Sequence, residues 1–376
     1  MNVMRLFWAM AAGCLVGLLC AQSSGIVHHP FLWDREFSQP PNIYIPETAA
    51  LDSHDVIWVL CRARMGKEGY GKQHLTHAIF RIDQEGQQLS TAELTLPLPT
   101  PEWGDTSDYR LAALRDGSMG LVFNKIRWEG RGESYVGAYY TTVDTSGVAA
   151  PLQLVGGPGP EYNEILSLTN GNLLLGGNEG ALLTFDSGGK LQWKKSFRQP
   201  LLVNPDSTNL SDGNVCLSAW SMGNKGAPNQ LRVMQLDERG HVLHTADISA
   251  LRGQVAGGPD GSCAVLYDQA PNINKGEYYL TVLDRSFARP WTVPVPQSYQ
   301  SGAQFKLVPL AEGYLAQIGN VLAEFSWSGK ELWMDVEARD TTETIVTPTK
   351  GGFFVVTGGL SMNNGFHVKR AITTRE

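Results

Sequence analysis

Residues 186–193 read Asp-Ser-Gly-Gly-Lys-Leu-Gln-Trp, and a similar stretch at residues 326–333 reads Ser-Trp-Ser-Gly-Lys-Glu-Leu-Trp. Each copy follows an apolar run that is typical of a β-strand. The leading Asp186 or Ser326 can accept hydrogen bonds from the amides of a tight turn, and the glycine tolerates the positive φ that such a turn requires. The tryptophan then lies on the outgoing strand of a hairpin, where it can pack flat against a neighbouring unit.

Weaker copies of this unit recur along the chain. One keeps Asp284 and Trp291 but has Phe287 at the glycine place. Others keep the turn and lose the tryptophan: Asp83-Gly86-Ser90, Asp144-Gly147-Pro151 and Asp237-Gly240-His244. The pattern therefore indicates an internal structural repeat rather than a single hairpin.

A second turn signal alternates with the first. It is a dipeptide that opens a short apolar run, and its copies are Asp116-Gly117, Asn170-Gly171, Asp212-Gly213, Asp260-Gly261, Glu312-Gly313 and Gly351-Gly352. Asp or Asn before Gly favours a hairpin turn. The spacing of the copies is close to the roughly 40–50 residues of one propeller blade. No amphipathic helical periodicity occurs after Gln22, which disfavours α/β folds.

These repeats predict an all-β fold: a single closed β-propeller of about seven four-stranded blades. The last unit, which begins at Thr344, has only three obvious strands, so we expect an N-terminal strand to close the last blade. The candidates for this strand are Ile26–Trp33 and Asn42–Ile45. The expected organisation is a signal peptide over 1–21, an N-terminal segment with the closing strand over 22–48, and the propeller over 49–376.

The full motif resembles the tryptophan-docking repeat of quinoprotein-like, PQQ-type β-propellers, where Asp-x-x-Thr-Gly-x-x-x-Trp ends most blades. Gly188, Ser328 and Ser146 stand where that family has threonine. Catalytic members of the family have longer, eight-bladed rings with adjacent cysteines over a quinone cofactor, and this chain has no adjacent cysteines. The resemblance therefore implies a non-catalytic branch, which includes periplasmic scaffolds, and no cofactor is expected to be required.

Composition and charge narrow the class of partner. The chain has 376 residues with 41 Gly and 10 Trp, only 18% of them charged, and a net charge of −7. A basic surface, the usual mark of nucleic-acid binding, is therefore not expected. Arg5, the apolar stretch Leu6–Leu19 and the small Ala21 predict a cleaved signal peptide. We expect an exported monomer that is periplasmic, outer-envelope or extracellular, without a transmembrane segment; a lipid anchor at Cys14 or Cys20 stays open.

The remaining cysteines, Cys61, Cys216 and Cys263, lie in strand-like apolar runs. They are interpreted as small buried hydrophobic residues, with a disulfide as the less favoured alternative. His74 and His77 are three apart, so on a strand they face opposite sides of the sheet and are poorly placed to share a metal ion. The segment Arg62–His77 is interpreted as a solvated hairpin.

A propeller usually binds ligands at the mouth of its central channel, where loops lead into the innermost strands. The segments just upstream of the Asp-Gly turns predict the binding residues, which are Asp108, Tyr109, Arg110, Glu161, Asn163, Glu164, Asn204, Asp206, Arg252, Gln304, Lys306 and Glu343. Asp105, Asn209, Gln254, Thr341 and Thr342 come from the same segments. Carboxylates dominate the set, so Ca²⁺ could bind there. Glu161, Glu164 and Asp206 are the candidates for acid and base catalysis.

Two functions from different classes follow. The first is a non-enzymatic binding or scaffold protein for a protein or glycan partner, with exposed aromatic and arginine residues on its hairpins, such as Tyr70, Arg127, Trp128, Arg131 and the segment 222–228. The alternative is a carbohydrate-active hydrolase or lyase that uses paired carboxylates at the channel mouth. A solvated acidic rim without any ligand also accounts for the carboxylates.

Overall fold

A computed structural model describes the chain over residues 31–38, 43–64, 75–94, 106–129, 132–197, 202–221, 229–269, 277–289, 291–295, 305–319, 321–336, 343–358 and 365–372. Over these ranges the backbone forms seven four-stranded antiparallel sheets and one short 3-10 turn, Asn178–Gly180. The described part of the chain contains no helix with the length and apolar character needed to cross a membrane. The fold is a seven-bladed β-propeller, as the repeats predicted.

Each blade is one sheet whose strands follow each other in the chain, except for the first strand, β1 (Phe31–Ser38), which belongs to the last blade. Blade 1 contains β2 (Ile43–Leu51), β3 (Ile57–Arg64), β4 (Leu75–Ile82) and β5 (Gln88–Leu94). Blade 2 contains β6 (Thr106–Ala113), β7 (Met119–Glu129), β8 (Gly132–Val143) and β9 (Gln153–Gly156). Blade 3 contains β10 (Tyr162–Ser167), β11 (Leu173–Gly177), β12 (Ala181–Phe185) and β13 (Leu191–Ser196).

The remaining blades repeat this order. Blade 4 contains β14 (Leu202–Asn209), β15 (Val215–Ser221), β16 (Gln230–Leu236) and β17 (Val242–Ser249). Blade 5 contains β18 (Arg252–Gly257), β19 (Cys263–Asp268), β20 (Tyr278–Leu283) and β21 (Trp291–Pro294). Blade 6 contains β22 (Phe305–Pro309), β23 (Gly313–Ile318), β24 (Val321–Ser326) and β25 (Glu331–Val336). Blade 7 contains β26 (Glu343–Thr349), β27 (Gly352–Gly358), β28 (Gly365–Ile372) and β1.

The first strands of the blades form the inner wall of the ring. Each of β2, β6, β10, β14, β18, β22 and β26 contacts the next one, and β26 contacts β2 again. Seven buried apolar clusters, each shared by two neighbouring blades, fill the space between the sheets. The hydrophobic effect therefore stabilises the closed ring, because no blade can bury both of its faces alone.

The N-terminal strand closes blade 7. β1 pairs antiparallel with β28 and forms the outer edge of that sheet. Of the two candidate segments, only the first contributes, because Phe31–Trp33 lies in β1 and residues 26–30 fall outside the described ranges. The second, Asn42–Ile45, was wrong as a closing strand, because Ile43 begins β2, the inner strand of blade 1. Pro46 and a β-bulge at Glu47 interrupt the alternating pattern that would have marked β2 as a strand.

The turns between the third and fourth strands have the predicted chemistry. Asp186 Oδ1 accepts hydrogen bonds from the backbone N–H groups of Gly188 and Lys190, both at 3.0 Å. The carboxylates of Asp83, Asp144, Asp237 and Asp284 accept the equivalent pairs of bonds, and Ser326 Oγ accepts one from Lys330. Gly189 has a φ of +81°, which explains the preference for glycine at this corner.

The tryptophans pack against the glycine corner of the next blade. A Cβ placed on Gly240 of blade 4 would lie 2.8 Å from the Trp193 ring of blade 3. The Trp193 Nε1–H donates to the carbonyl of Glu238 in the same turn, at 3.0 Å. Trp291 covers Gly329 in the same way. Trp333 differs because blade 7 has no turn between its last two strands: its indole donates to Glu324 within blade 6, and its ring stacks on Phe353.

Trp33 is a fourth docking tryptophan that sequence reasoning missed. It lies on β1 and covers Gly86 of blade 1, and its Nε1–H donates to the Gln84 carbonyl at 2.9 Å. The N-terminal strand thus reproduces the outer strand of an ordinary blade. The interface between blades 7 and 1 therefore has the same contact between tryptophan and glycine corner as the interface between blades 3 and 4.

At the interface between blades 4 and 5, the aromatic residue of the docking contact lies at the turn of blade 5 instead of on the outer strand of blade 4. Phe287 stands at the glycine corner with a φ of +61°, a strained conformation for a bulky residue. Its ring stacks on His244, which occupies the tryptophan place of blade 4, with 5.7 Å between ring centroids. The interface between blades 4 and 5 therefore keeps an aromatic contact, in which the large ring comes from the turn of blade 5 and packs against blade 4.

The docking contact predicts different costs for two similar glycines. We expect Gly240→Ala to lower the free energy of unfolding by about 2–4 kcal/mol, because the methyl group adds a clash with Trp193 to the backbone strain at a φ of +72°. Gly213→Ala is the matched control, since its φ is +85° but the nearest atom to a Cβ, Thr169 Oγ1, is 3.6 Å away; it should cost about 1–2 kcal/mol. Urea unfolding measures both. Equal costs would contradict tight docking, and Trp193→Ala should remove the excess in the Gly240→Ala background.

One interface is covalently bridged, which corrects the interpretation of the cysteines. Cys216 on β15 and Cys263 on β19 form a disulfide between blades 4 and 5, with a Cα–Cα distance of 6.3 Å. The two strands lie on facing sheets, so residues 47 positions apart in the chain meet in the core. Cys61 is buried and takes no part in this disulfide.

Candidate functional site

Five polar residues occupy one register position on the inner strands of five consecutive blades. Each stands four residues before the residue whose N–H closes the first turn of its blade. They are Arg110 on β6, Glu164 on β10, Asp206 on β14, Gln254 on β18 and Lys306 on β22, and we call them the channel ring. The equivalent residue in blade 1 is Thr48, so the charges are concentrated in blades 2–6.

Local β-bulges set the orientation of these side chains. The pairing of inner and second strands shifts register between Ser107 and Arg110, between Tyr162 and Glu164, and between Val203 and Asp206. A bulge adds an unpaired residue and can re-aim the side chain that follows it, and bulges are frequent next to functional sites. In blades 2, 3 and 4 the channel-ring residue therefore follows a β-bulge in the inner strand, in addition to occupying the same register position.

Asp206 is the most enclosed acid of the ring. Its side chain is 3% exposed, and its Oδ2 accepts a hydrogen bond of 2.6 Å from the backbone N–H of Val255 in blade 5. Lys306 reaches Oδ1 at 3.5 Å from blade 6. Burial raises the pKa of Asp206, whereas Lys306 and the Val255 bond act in the opposite direction. Asp206 therefore links three blades.

Glu164 is the acid whose protonation is balanced near neutrality. Burial foremost, and then the negative charge of Asp206, raises the pKa of Glu164 to about 7. Lys306 and Arg110 counteract this rise, as does Ser207, whose hydroxyl donates to Glu164 Oε1 at 3.2 Å. Two acids in neighbouring blades thus differ in their surroundings, which is an arrangement that can separate acid and base roles.

The two cations approach the acids from opposite sides of the ring. The Arg110 guanidinium is held by main-chain carbonyls: Nε donates to Asn163 and Nη1 donates to Tyr109, both at 2.9 Å. Asp206 is the main cause that raises the pKa of Lys306, and the positive charge of Arg110 acts against it. The Lys306 side chain is 45% exposed. The ring therefore combines a buried acid, Asp206, and a half-buried acid, Glu164, with a cation that solvent can reach.

Several predicted site residues have structural roles. Tyr109 is 5% exposed and packs between His77 and Phe123. Glu161 accepts a hydrogen bond from Asn178 Nδ2 at 2.7 Å, and the acid near Glu164 is Asp206 rather than Glu161. Arg252 bonds the Tyr278 hydroxyl and faces Asp268 at 3.9 Å.

For other predicted residues the structure describes only the backbone, or the residue lies outside the described ranges. Asp108, Asn204 and Glu343 stand on β6, β14 and β26, and only their backbone is described. Gln304 falls outside the described residues, together with Asp105, Thr341 and Thr342. The same holds for the candidate partner contacts Tyr70, Arg131 and 222–228, whereas Arg127 and Trp128 lie on β7.

A second polar cluster lies in blade 1, where sequence reasoning named no site residue. His77 is 3% exposed, so its assignment to a solvated hairpin was wrong. Its Nε2 lies 2.9 Å from Glu47 Oε2, and Arg62 Nε lies 3.1 Å from Glu47 Oε1. Glu47 occupies the bulge of β2, which is visible in the strand pairing and has no spacing signal in the sequence. Among the described residues, no group of three or more His, Cys, Asp or Glu side chains could hold a metal ion.

Comparisons with known proteins agree with the architecture. No family model and no curated protein matches the chain. A catalytically inactive virginiamycin B lyase from Staphylococcus aureus, solved with quinupristin, is similar in structure, with 11% identity, a TM-score of 0.55 and coverage of 90% of this chain and 99% of that chain. The Dos1 propeller has 10% identity, a TM-score of 0.54 and coverage of 91% and 95%. The Pan2 WD40 domain of Neurospora crassa has 10% identity, a TM-score of 0.52 and coverage of 89% and 91%. At these identities the likeness establishes the fold alone: the chain is a β-propeller.

Proposed function

We propose that the chain is an exported, non-enzymatic β-propeller that binds a polar group of a protein or glycan partner at the mouth of its central channel. The observation that carries this proposal is the channel ring. Five consecutive blades place a polar side chain at the same position of the inner strand. Three of these positions follow a bulge.

The energetics of the ring support a ligand. Buried charges cost free energy of folding, and replacing them with apolar residues is often neutral or stabilising. Asp206 nevertheless lies close enough to Glu164 for its negative charge to raise the pKa of Glu164, and burial raises the pKa of both acids. A ring that served only to hold the blades together would not need charged side chains. The retained charges fit a binding role.

Two features support export. Residues 1–21 have the pattern of a signal peptide, with Arg5 before an apolar stretch and the small Ala21 near its end. The Cys216–Cys263 disulfide fits an oxidising compartment, where such bonds form and persist. The two features are independent, because one is an N-terminal sequence pattern and the other is a contact between blades.

The second candidate function is hydrolysis or elimination on a carbohydrate. It is favoured by one observation: Glu164, which is half-buried, has a pKa raised to about 7 and is influenced by the charge of the buried acid Asp206. A carboxyl that titrates near the working pH is suited to general acid catalysis. In this alternative Glu164 would protonate the leaving group, and Asp206 would act as the ionised partner.

A glycan panel tests the proposal and separates the two functions. The full-length chain is expected to bind at least one member without converting it, and Asp206→Ala is expected to weaken binding at least tenfold. Glu331→Gln, which alters an exposed acid on the outer strand β25, is the matched control and should bind like the wild type. Equal binding by Asp206→Ala and the wild type would contradict the proposal. Product formation that is lost in Glu164→Gln would favour the enzyme instead.

A further inference from the structure

The cations of the channel ring have donors that the described residues do not use. Arg110 donates hydrogen bonds from Nε and Nη1 to two main-chain carbonyls, so Nη2 is available to donate to a ligand. Lys306 contacts Asp206 at 3.5 Å, which is long for a charge-assisted hydrogen bond. The two cations also repel each other, because the charge of Arg110 lowers the pKa of Lys306. An anion between them would satisfy the donors and relieve this repulsion.

The acids of the ring divide into a fixed and an adjustable group. Asp206 is 3% exposed and already bonded to Val255 and Lys306, so it balances one positive charge permanently. Glu164 has one described hydrogen bond, from Ser207 to Oε1. When Glu164 is ionised, the charges of Arg110, Lys306, Asp206 and Glu164 sum to zero. When Glu164 is protonated, they leave one net positive charge.

We infer that the channel ring binds the carboxylate of an acidic sugar between Arg110 and Lys306, with Glu164 protonated in the bound state; this inference rests on the proposed binding function. The guanidinium of Arg110 offers the planar, paired donors that match a carboxylate. The Lys306 ammonium supplies the second positive charge from across the channel. Asp206 holds Lys306 in place and does not itself contact the ligand.

A sugar fits the remaining groups better than a peptide terminus does. Gln254 has a buried Oε1 without a hydrogen-bond partner among the described residues, so it can accept a bond from a ligand hydroxyl. Ser207 and Glu164, which are hydrogen-bonded to each other, offer further polar atoms. Hydroxyl groups are donors and acceptors at once, and they can use several such atoms together. Tyr109, the aromatic residue nearest in sequence to Arg110, is buried in the core and offers no apolar platform for a peptide side chain.

Binding should be linked to proton uptake. The groups that act on Glu164 from the elements around β10 are Arg110 on β6, Asp206 and Ser207 on β14, and Lys306 from across the channel. Asn124 on β7 bonds the backbone of Tyr162 instead. A bound carboxylate adds negative charge beside Glu164 and therefore favours its protonated form. Because the free protein has Glu164 with a pKa of about 7, binding at pH 7 takes up about half a proton.

Calorimetric titration of the full-length chain with trigalacturonic acid tests the inference. We expect affinity to be about tenfold weaker at pH 8 than at pH 6, since a group with a pKa of about 7 changes from about 90% to about 10% protonated. Titrations at pH 7 in buffers with different heats of ionisation should report the proton uptake. The methyl-esterified trisaccharide, which lacks the negative charges, should bind at least tenfold more weakly at pH 6.

Variants assign the contacts. Arg110→Gln and Lys306→Gln should each weaken trigalacturonate binding at least tenfold, whereas Lys330→Gln, at an exposed turn of blade 6, should have no effect. Glu164→Gln should retain binding and reduce the ratio between pH 6 and pH 8 to about one. A ratio near ten in Glu164→Gln would overturn the role of Glu164.

Three further outcomes would overturn the inference. Equal affinity for the acid and its ester would exclude carboxylate recognition. Tighter binding of glucose 6-phosphate would assign the ring to phosphate, and equal binding of diglycine would exclude sugar selectivity. The proposed function would survive all three, because it is contradicted instead by equal binding of Asp206→Ala and the wild type, or by product formation that Glu164→Gln abolishes.

Discussion

Removal of the Cys216–Cys263 disulfide is expected to lower the free energy of unfolding by about 4 kcal/mol. The bridge joins residues 47 positions apart, and closing a loop of that length restricts the unfolded chain by this amount in the loop-entropy model. The bond also fastens blade 4 to blade 5, so its loss leaves their interface to non-covalent contacts: apolar packing, the His244–Phe287 stack and hydrogen bonds such as that from Val255 to Asp206.

Urea unfolding of three samples measures this effect. The oxidised wild type should be the most stable, and the reduced wild type should match the Cys216→Ala/Cys263→Ala variant. Addition of reductant to the double variant should change nothing, which controls for effects of the reductant elsewhere. Two reactive thiols at these positions in the denatured, unreduced protein would contradict the bridge.

The fold could be predicted because its signals are local. An aspartate that caps a turn, a glycine at positive φ and a tryptophan on the next strand lie within eight residues, as at 186–193, and each has its own physical reason. Trp33 escaped notice because its strand precedes the ring in the chain, so no Asp-x-x-Gly turn leads into it. Its partner corner, Gly86, lies in blade 1.

The candidate site was predicted less completely because strand irregularities change which side chains face the channel. Tyr109 and Arg110 are adjacent, and neighbouring residues on a strand point to opposite faces. They cannot both line the channel, and the structure assigns Tyr109 to the core. A bulge shifts the alternation of side chains between the two faces by one residue, and the spacing of residues in the sequence does not reveal where a bulge occurs. The pairing of Glu164 with Asp206 likewise depends on which blades are neighbours.

The disulfide between blades 4 and 5 also could not be predicted from local sequence patterns. Cys216 and Cys263 each lie in an apolar run, where a buried thiol is the ordinary expectation. Their pairing requires side chains on the facing surfaces of adjacent blades, at positions of the second strands that are offset by one residue, and this depends on the exact bounds of both sheets. Local patterns thus predict the repeating unit, whereas contacts between units follow only once the ring is assembled.

The second large effect concerns Glu164 and the pH dependence of stability. Its pKa is about 7 in the folded protein, against an ordinary value of 4.5, so the native state binds more protons than the unfolded state between these values. Stability therefore falls as pH rises through this window. The full contribution is present below pH 4.5 and lost above pH 7, and it amounts to about 3 kcal/mol.

The comparison of wild type with Glu164→Gln isolates this contribution, because all other titrating groups are common to both proteins. Urea unfolding at intervals from pH 4.5 to pH 8 should show the wild type losing about 3 kcal/mol more than the variant. Glu331→Gln should follow the wild type. Asp206→Asn removes the negative neighbour and should shift the decline to lower pH, since less repulsion opposes ionisation of Glu164. Parallel curves for wild type and Glu164→Gln would mean that Glu164 titrates as an ordinary solvated acid, and the proton-linked binding inferred for the channel ring would then lose its basis.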